Sequence, residues 1–138
     1  MTGRYEVLAH TADTRIVAYG ATLREVFETA AFAMFDLMFG SGDVVGTTTL
    51  HIEVRASPVE DLLVDWLSTL LFEAETKDLA LCSFEVEVLE EGRLVGRVGG
   101  VPSAGMELTG PPIKAVTYHD VSVTETLDGW SARVIFDV

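Results

Sequence analysis

A two-layer α+β fold, with two amphipathic helices packed on a mostly antiparallel sheet, is predicted by three observations. Two segments carry apolar residues at helical spacing, most of the remainder alternates apolar with polar residues, and two tight-turn signatures join neighbouring strands as hairpins. The chain is read as a single domain over residues 1–138, and its 138 residues suffice to bury roughly two-thirds of the unfolded surface. Two strands are read before the first helix, with Asp13 between them. In the first helix, Leu23, Val26, Phe27, Ala30, Ala31, Met34, Phe35 and Met38 form one stripe. Thr22 with Glu25 supplies a capping box, and Gly40 a left-handed stop.

Leu50, Ile52 and Val54 then alternate as a strand, after which Ser57, Pro58 and Glu60 offer a cap, a first-turn proline and a capping-box acid for the second helix. Its stripe is Val59, Leu62, Leu63, Trp66, Leu67, Leu70, Leu71 and Ala74. Phe84, Val86 and Val88 alternate into Glu90-Glu91-Gly92-Arg93, a hairpin turn that leads to Leu94 and Val98. Gly99 to Pro112, rich in Gly, Pro and Ser, reads as an exposed loop. Leu127-Asp128-Gly129-Trp130 joins the last two strands, and Trp130, Ala132, Val134 and Phe136 share one face of the final one. The expected order is strand, strand, helix, strand, helix, then four strands.

Charge and cysteine usage exclude several function classes. Nine Lys and Arg against 22 Asp and Glu give a formal net charge of −13. Such a chain repels nucleic acid, whose affinity for proteins comes largely from cations on phosphates, so no direct nucleic-acid binding is expected. The one cysteine, Cys82, cannot form an internal disulfide or a thiolate cluster for zinc, and reads as a small buried hydrophobe. No basic-then-apolar leader and no apolar run of roughly 18 residues is present, so a cytoplasmic protein without a membrane span is expected. His10, His51 and His119 lack metal-ligand spacing, and Ser68 and Ser103 lack a nucleophile elbow. Gly100 to Gly105 begins like a phosphate loop, but Met106 and Glu107 stand where Lys and Ser or Thr are required.

Three stretches remain: His10-Thr11-Ala12-Asp13, Lys114 to His119, and the closing Ile135-Phe136-Asp137-Val138. If the first and last strands are neighbours, Asp13, Asp137 and the α-carboxylate of Val138 surround one hard cation, where oxygen donors suit Ca²⁺, Mg²⁺ or Mn²⁺ rather than zinc. Each residue also has a plainer reading. Asp13 can bond to backbone N–H groups in a turn, Asp137 can be solvated, and a terminal carboxylate is commonly frayed. Lys114 can be an edge-strand charge or can reach a phosphate or an acidic partner. In a regular strand it shares a face with Tyr118, opposite Thr117 and His119, so Lys114 and His119 form no simple dyad. Asp65, on an otherwise apolar helix, either pairs locally or acts directly.

These motifs resemble the archease family. Tyr5-Glu6-Val7-Leu8-Ala9-His10-Thr11-Ala12-Asp13 is similar to its opening motif, and Ala18-Tyr19-Gly20-Ala21-Thr22-Leu23-Arg24-Glu25 to its entry into the first helix. Leu63 to Phe72 is similar to its second helix, and Ile113–His119 and Val134–Val138 to its closing motifs. The resemblance implies a monomeric protein cofactor, itself no enzyme, that activates a GTP-dependent RNA ligase of the RtcB type in tRNA splicing and RNA repair. It also implies a metal site at Asp13, Asp137 and Val138, with Ca²⁺ foremost and Mn²⁺ or Mg²⁺ as alternatives, and a ligase-activating role for Lys114. Two departures stand out: Ala9 occupies a position where the family often has an acid, and Val101 to Pro112 matches no family pattern clearly. Two other classes stay open, a stand-alone metal-dependent phosphohydrolase, which needs more than two clustered acids, and a general interaction or chaperone-like module.

Overall fold

Residues 3–9, 13–40 and 44–138 are described by the structure, a computed structural model. His10, Thr11 and Ala12 of the opening motif lie outside the described residues. The elements are β1 (Arg4–Ala9), β2 (Asp13–Gly20), α1 (Leu23–Phe39), β3 (Thr48–Arg55), α2 (Val59–Lys77), β4 (Leu79–Glu90), β5 (Arg93–Pro102), β6 (Ala115–Thr126) and β7 (Gly129–Asp137), in the expected order. The α+β class holds, and every strand pair is antiparallel. The strands divide between two sheets, one ordered β1-β2-β7-β6 and the other β3-β5-β4. Helix α1 packs on β2 and β4 and so touches both sheets, as does α2 through β6 and β3. Their apolar stripes meet the inward faces of the strands, burying Phe27, Met34, Trp66 and Leu70 against Ile16, Leu94, Val134 and Phe136. Among the described residues no helix is long and apolar enough to cross a membrane.

Local chemistry sets the helix ends. The Thr22 hydroxyl accepts the Glu25 N–H at 3.1 Å, and the Glu25 carboxylate accepts the Ala21 N–H at 3.2 Å. Gly40 closes α1 at φ 62°, its N–H donating to Asp36 O. The start of α2 differs from expectation. Pro58 is the flanking residue rather than the first helical one, and no side chain caps the helix. With proline in that position there is no cap oxygen, and Ser57 stands one residue too far out to serve. Glu60 and Asp61 in the first turn and Lys77 in the last still complement the helix dipole.

The segment 99–112 is also only partly a loop, because β5 continues to Pro102. Gly99 lies between Thr49 and Ser83, and Gly100 between Thr48 and Leu81, in the central strand of its sheet. A Cβ on Gly99 would stand 2.5 Å from Ser83 Oγ, and one on Gly100 2.9 Å from Leu81 Cδ2. These glycines admit close neighbours, a requirement that composition alone reads as a loop.

Tyr5 ties β1 to α1 by donating its hydroxyl to the Asp36 carboxylate. Burial first, then the bond to Asp36 and its charge, push the phenol up from 10.0 to about 12. The fold therefore favours the neutral phenol. Its contribution is whole below pH 10 and is lost as pH rises from 10 to about 12, where the unfolded chain ionises first. Denaturant titrations at about pH 9 and about pH 11.5 should show a smaller alkaline loss for Tyr5→Phe than for the wild type. Equal losses would remove Tyr5 as its source.

Candidate functional site

Asp13 opens β2, and Asp137 is the last residue of β7. The two strands are paired in register from Asp13↔Asp137 to Gly20↔Trp130. The neighbour of the last strand is thus the second strand rather than the first; β1 lies on the outer side of β2. This follows from the position of Asp13, which ends the opening motif and begins the second strand. Directly opposed residues on antiparallel strands project to the same face with Cβ atoms roughly 5 Å apart, so the two carboxylates share one end of the sheet. Asp137 is exposed as expected, but the alternation before it is broken, because Ile135 on the same face is buried along with Val134 and Phe136.

The third strand of this row is β6. Ala115 is opposite Asp137, and the N–H of Lys114 donates to Asp137 O at 2.7 Å. Lys114 is exposed, and Val138 follows Asp137 half-buried. Residues far apart in sequence, Asp13, Lys114, Asp137 and Val138, therefore meet at one sheet end.

The next row on the same face holds Leu8, Arg15, Ile135 and Thr117. Beyond Thr117 the ladder breaks: Tyr118 to Val121 stand opposite Val134 alone before pairing resumes at Ser122↔Arg133. Asp120 in this bulge has φ 54°. The regular alternation expected along Lys114–His119 therefore ends at Thr117. The bulge leans on α2, where the Tyr118 hydroxyl donates to Asp65 Oδ1 at 2.7 Å. Asp65 thus pairs across the fold rather than locally. Its hydrogen bond, with lesser contributions from burial and from the charges of Asp65 and Asp61, raises the pKa of Tyr118.

Arg15 lies between two acids. Its Nε is 3.9 Å from Asp13 Oδ1, and a terminal nitrogen is 3.8 Å from Asp120 Oδ2; His119 Nε2 is 3.4 Å from that same Asp120 oxygen. Among the described residues, Asp13 Oδ1, Arg15 Nε and Thr117 Oγ1 are buried with no hydrogen-bond partner. The turn role weighed for Asp13 finds no support at Oδ1. Sequence reasoning missed Arg15, Thr117 and Asp120. The shared parity of Asp13 and Arg15 was available as a signal, whereas Thr117-Tyr118-His119-Asp120 reads as plain strand and hides the bulge.

Opposed carboxylates, one with a buried unbonded oxygen, are the donor chemistry of a hard cation. Like charges directly opposite one another repel, and a divalent ion would relieve that repulsion. Asp13 and Asp137 offer oxygen donors of the kind that Ca²⁺, Mn²⁺ or Mg²⁺ takes, and water would be needed to complete such a shell. Among the described residues no group of three or more His, Cys, Asp and Glu side chains could hold a metal ion, so the clustered acids that the phosphohydrolase reading needs are not found there.

Comparison with known proteins adds a family. Residues 5–138 match the model of the "Archease protein family (MTH1598/TM1083)". The chain is 39% identical over 140 residues to a protein archease of Methanosarcina acetivorans, covering 98% of this chain and 96% of that one. It is 36% identical over 139 residues to one of Archaeoglobus fulgidus, covering 98% and 99%. The solution structure of Methanobacterium thermoautotrophicum protein 1598 superposes with a TM-score of 0.80 at 32% identity, covering 97% of this chain and 98% of that one. A Thermotoga maritima crystal structure, described as an archease and possible chaperone, shares the fold with a TM-score of 0.63 at 22% identity, covering 95% and 94%.

Proposed function

The chain belongs to the archease family, and from that premise we propose that it activates a GTP-dependent RNA ligase of the RtcB type. It promotes guanylylation of the ligase histidine and renewed turnover in tRNA splicing and RNA repair, and performs no chemical step of its own. The observation that carries this reading is the in-register pair Asp13↔Asp137, with Lys114 hydrogen-bonded to the same Asp137 through the backbone. The residues that match the family motifs lie in separate parts of the sequence and converge at one end of one sheet.

A divalent cation held by Asp13, Asp137 and the Val138 carboxylate would supply a localised positive charge for phosphate oxygens or for orienting groups on the ligase. The chain's own residues do the rest. The β2–β7 backbone ladder holds Asp13 opposite Asp137, the Lys114 N–H fixes the Asp137 backbone, and the exposed Lys114 side chain is available to meet the partner. A formal charge of −13 steers this surface toward a basic cleft, so association slows as salt rises.

The test is multiple-turnover ligation by limiting cognate ligase with GTP and Mn²⁺. Product per ligase should rise well above one with the wild-type protein and remain near one with Lys114→Ala. A wild-type protein that adds nothing would overturn the activator reading and bring forward the interaction module, which predicts binding to unrelated proteins that Asp13→Ala leaves unchanged.

A further inference from the structure

Arg15 occupies an unusual electrostatic position. It follows Asp13 by two residues on β2 and shares its face, while Asp120, at the turn of the β6 bulge, faces the guanidinium from the other side. At 3.9 and 3.8 Å, both contacts are inside ion-pair range and beyond hydrogen-bond reach. Arg15 Nε and Asp13 Oδ1 are near neighbours, each buried and each without a hydrogen bond among the described residues. The guanidinium is therefore shared between two carboxylates and committed to neither. Small displacements would pair it with Asp13 or with Asp120, and the geometry sets no strong preference.

We infer that Arg15 is a resident counter-cation of Asp13, which a divalent ion displaces toward Asp120. This rests on the cation reading of Asp13 and Asp137 and adds to it a residue that tunes affinity. Without the ion, the positive charge of Arg15 offsets the repulsion between Asp13 and Asp137. With the ion, two cations compete for the same carboxylate oxygen, and Asp120 gives the guanidinium an alternative partner. The bulge in β6 then has a purpose that a regular ladder would not serve, because it presents an acid on the far side of Arg15. Arg15 weakens cation binding and keeps it exchangeable, whereas Asp120 partly restores it.

The two residues therefore have opposite predicted effects, which a general loss of folding cannot mimic. With the full-length chain and Mn²⁺ alone as probe, free Mn²⁺ followed by electron paramagnetic resonance in ~0.1 M salt should show about fivefold tighter binding for Arg15→Met, since methionine keeps the apolar stem and removes the charge. Asp120→Asn should bind about threefold more weakly, and Arg15→Lys should stay close to wild type. In the Arg15→Met background, Asp120→Asn should have little further effect, because no guanidinium remains to be held.

An Asp120→Asn effect of equal size in both backgrounds would mean a direct field on the ion and would overturn the inference. So would an Arg15→Met protein that binds Mn²⁺ like the wild type. Asp13→Ala identifies the site being measured. If the wild type binds no Mn²⁺, or Asp13→Ala binds as well as it does, the cation reading itself fails and takes this inference with it. If Asp13→Ala loses binding while Arg15→Met changes nothing, only the role of Arg15 is lost.

Discussion

Trp66→Ala is expected to destabilise the protein by about 3–5 kcal/mol, a large share of the roughly 5–15 kcal/mol that holds a typical domain. Trp66 is fully buried on α2 and donates its indole N–H to Phe27 O of α1 at 3.0 Å, so it joins the helices to each other as well as to the sheets. Its ring edge occupies the space above Gly96 in β5: a Cβ there would lie 2.7 Å from Trp66 Cη2 and 2.8 Å from Cζ3. The indole and the glycine are therefore complementary parts of one packing arrangement. Gly96→Ala should cost ~1–3 kcal/mol in the wild type through overpacking. In a Trp66→Ala background the same methyl enters vacated space and should cost nothing or stabilise slightly, giving a coupling above ~1 kcal/mol in a double-mutant cycle. Urea titrations of the four proteins measure it. Additive changes would show that the ring moves away freely and that Gly96 is not there to receive it.

That pair also illustrates what the sequence discloses. The helical stripe containing Trp66 and the strand containing Gly96 follow from periodicity, because burial of one face imposes a period of 3.6 or 2 on apolar positions. The contact between them is a tertiary fact with no local signature. The same boundary runs through the rest of the fold. Thr22, Glu25 and Gly40 mark α1 because caps act within one turn, and Gly92 and Gly129 mark hairpins because their positive φ is a local need. Gly99 and Gly100 mislead because they answer to Ser83 and Leu81 on another strand. At the candidate site, Asp13, Lys114, Asp137 and Val138 were legible through their motifs. Arg15 and Asp120 were not, since their relation depends on a bulge that sets Tyr118 to Val121 opposite one residue of β7. Asp65 was ambiguous for the same reason: its partner, Tyr118, comes from the far side of the chain.

Replacing Asp137 with asparagine should separate function from stability at the candidate site. Asparagine keeps the shape and removes one of two like charges directly opposed across β2 and β7, so the cation-free protein should gain roughly a few tenths of a kcal/mol. Asp13→Asn should gain less or lose slightly, because it also gives up the attraction of Arg15 at 3.9 Å. Both variants should lose the stabilisation that a bound cation gives the wild type, about 2.7 kcal/mol when the ion is at a hundred times its dissociation constant. Both should also reduce ligase activation at least about tenfold, the loss expected when an interaction worth ~1.4 kcal/mol or more is removed from the productive complex. Thermal melts with and without Ca²⁺, run beside the ligation assay, measure these quantities together. Extending the chain by a few residues beyond Val138 displaces the α-carboxylate and leaves every side chain in place. That variant should melt like the wild type without Ca²⁺ and gain less with it; an unchanged gain would remove the terminal carboxylate from the donor set while leaving Asp13 and Asp137 in it. If Asp137→Asn is instead destabilising without the ion and still activates the ligase, the pair is a structural element of the sheet end and the cation reading is wrong.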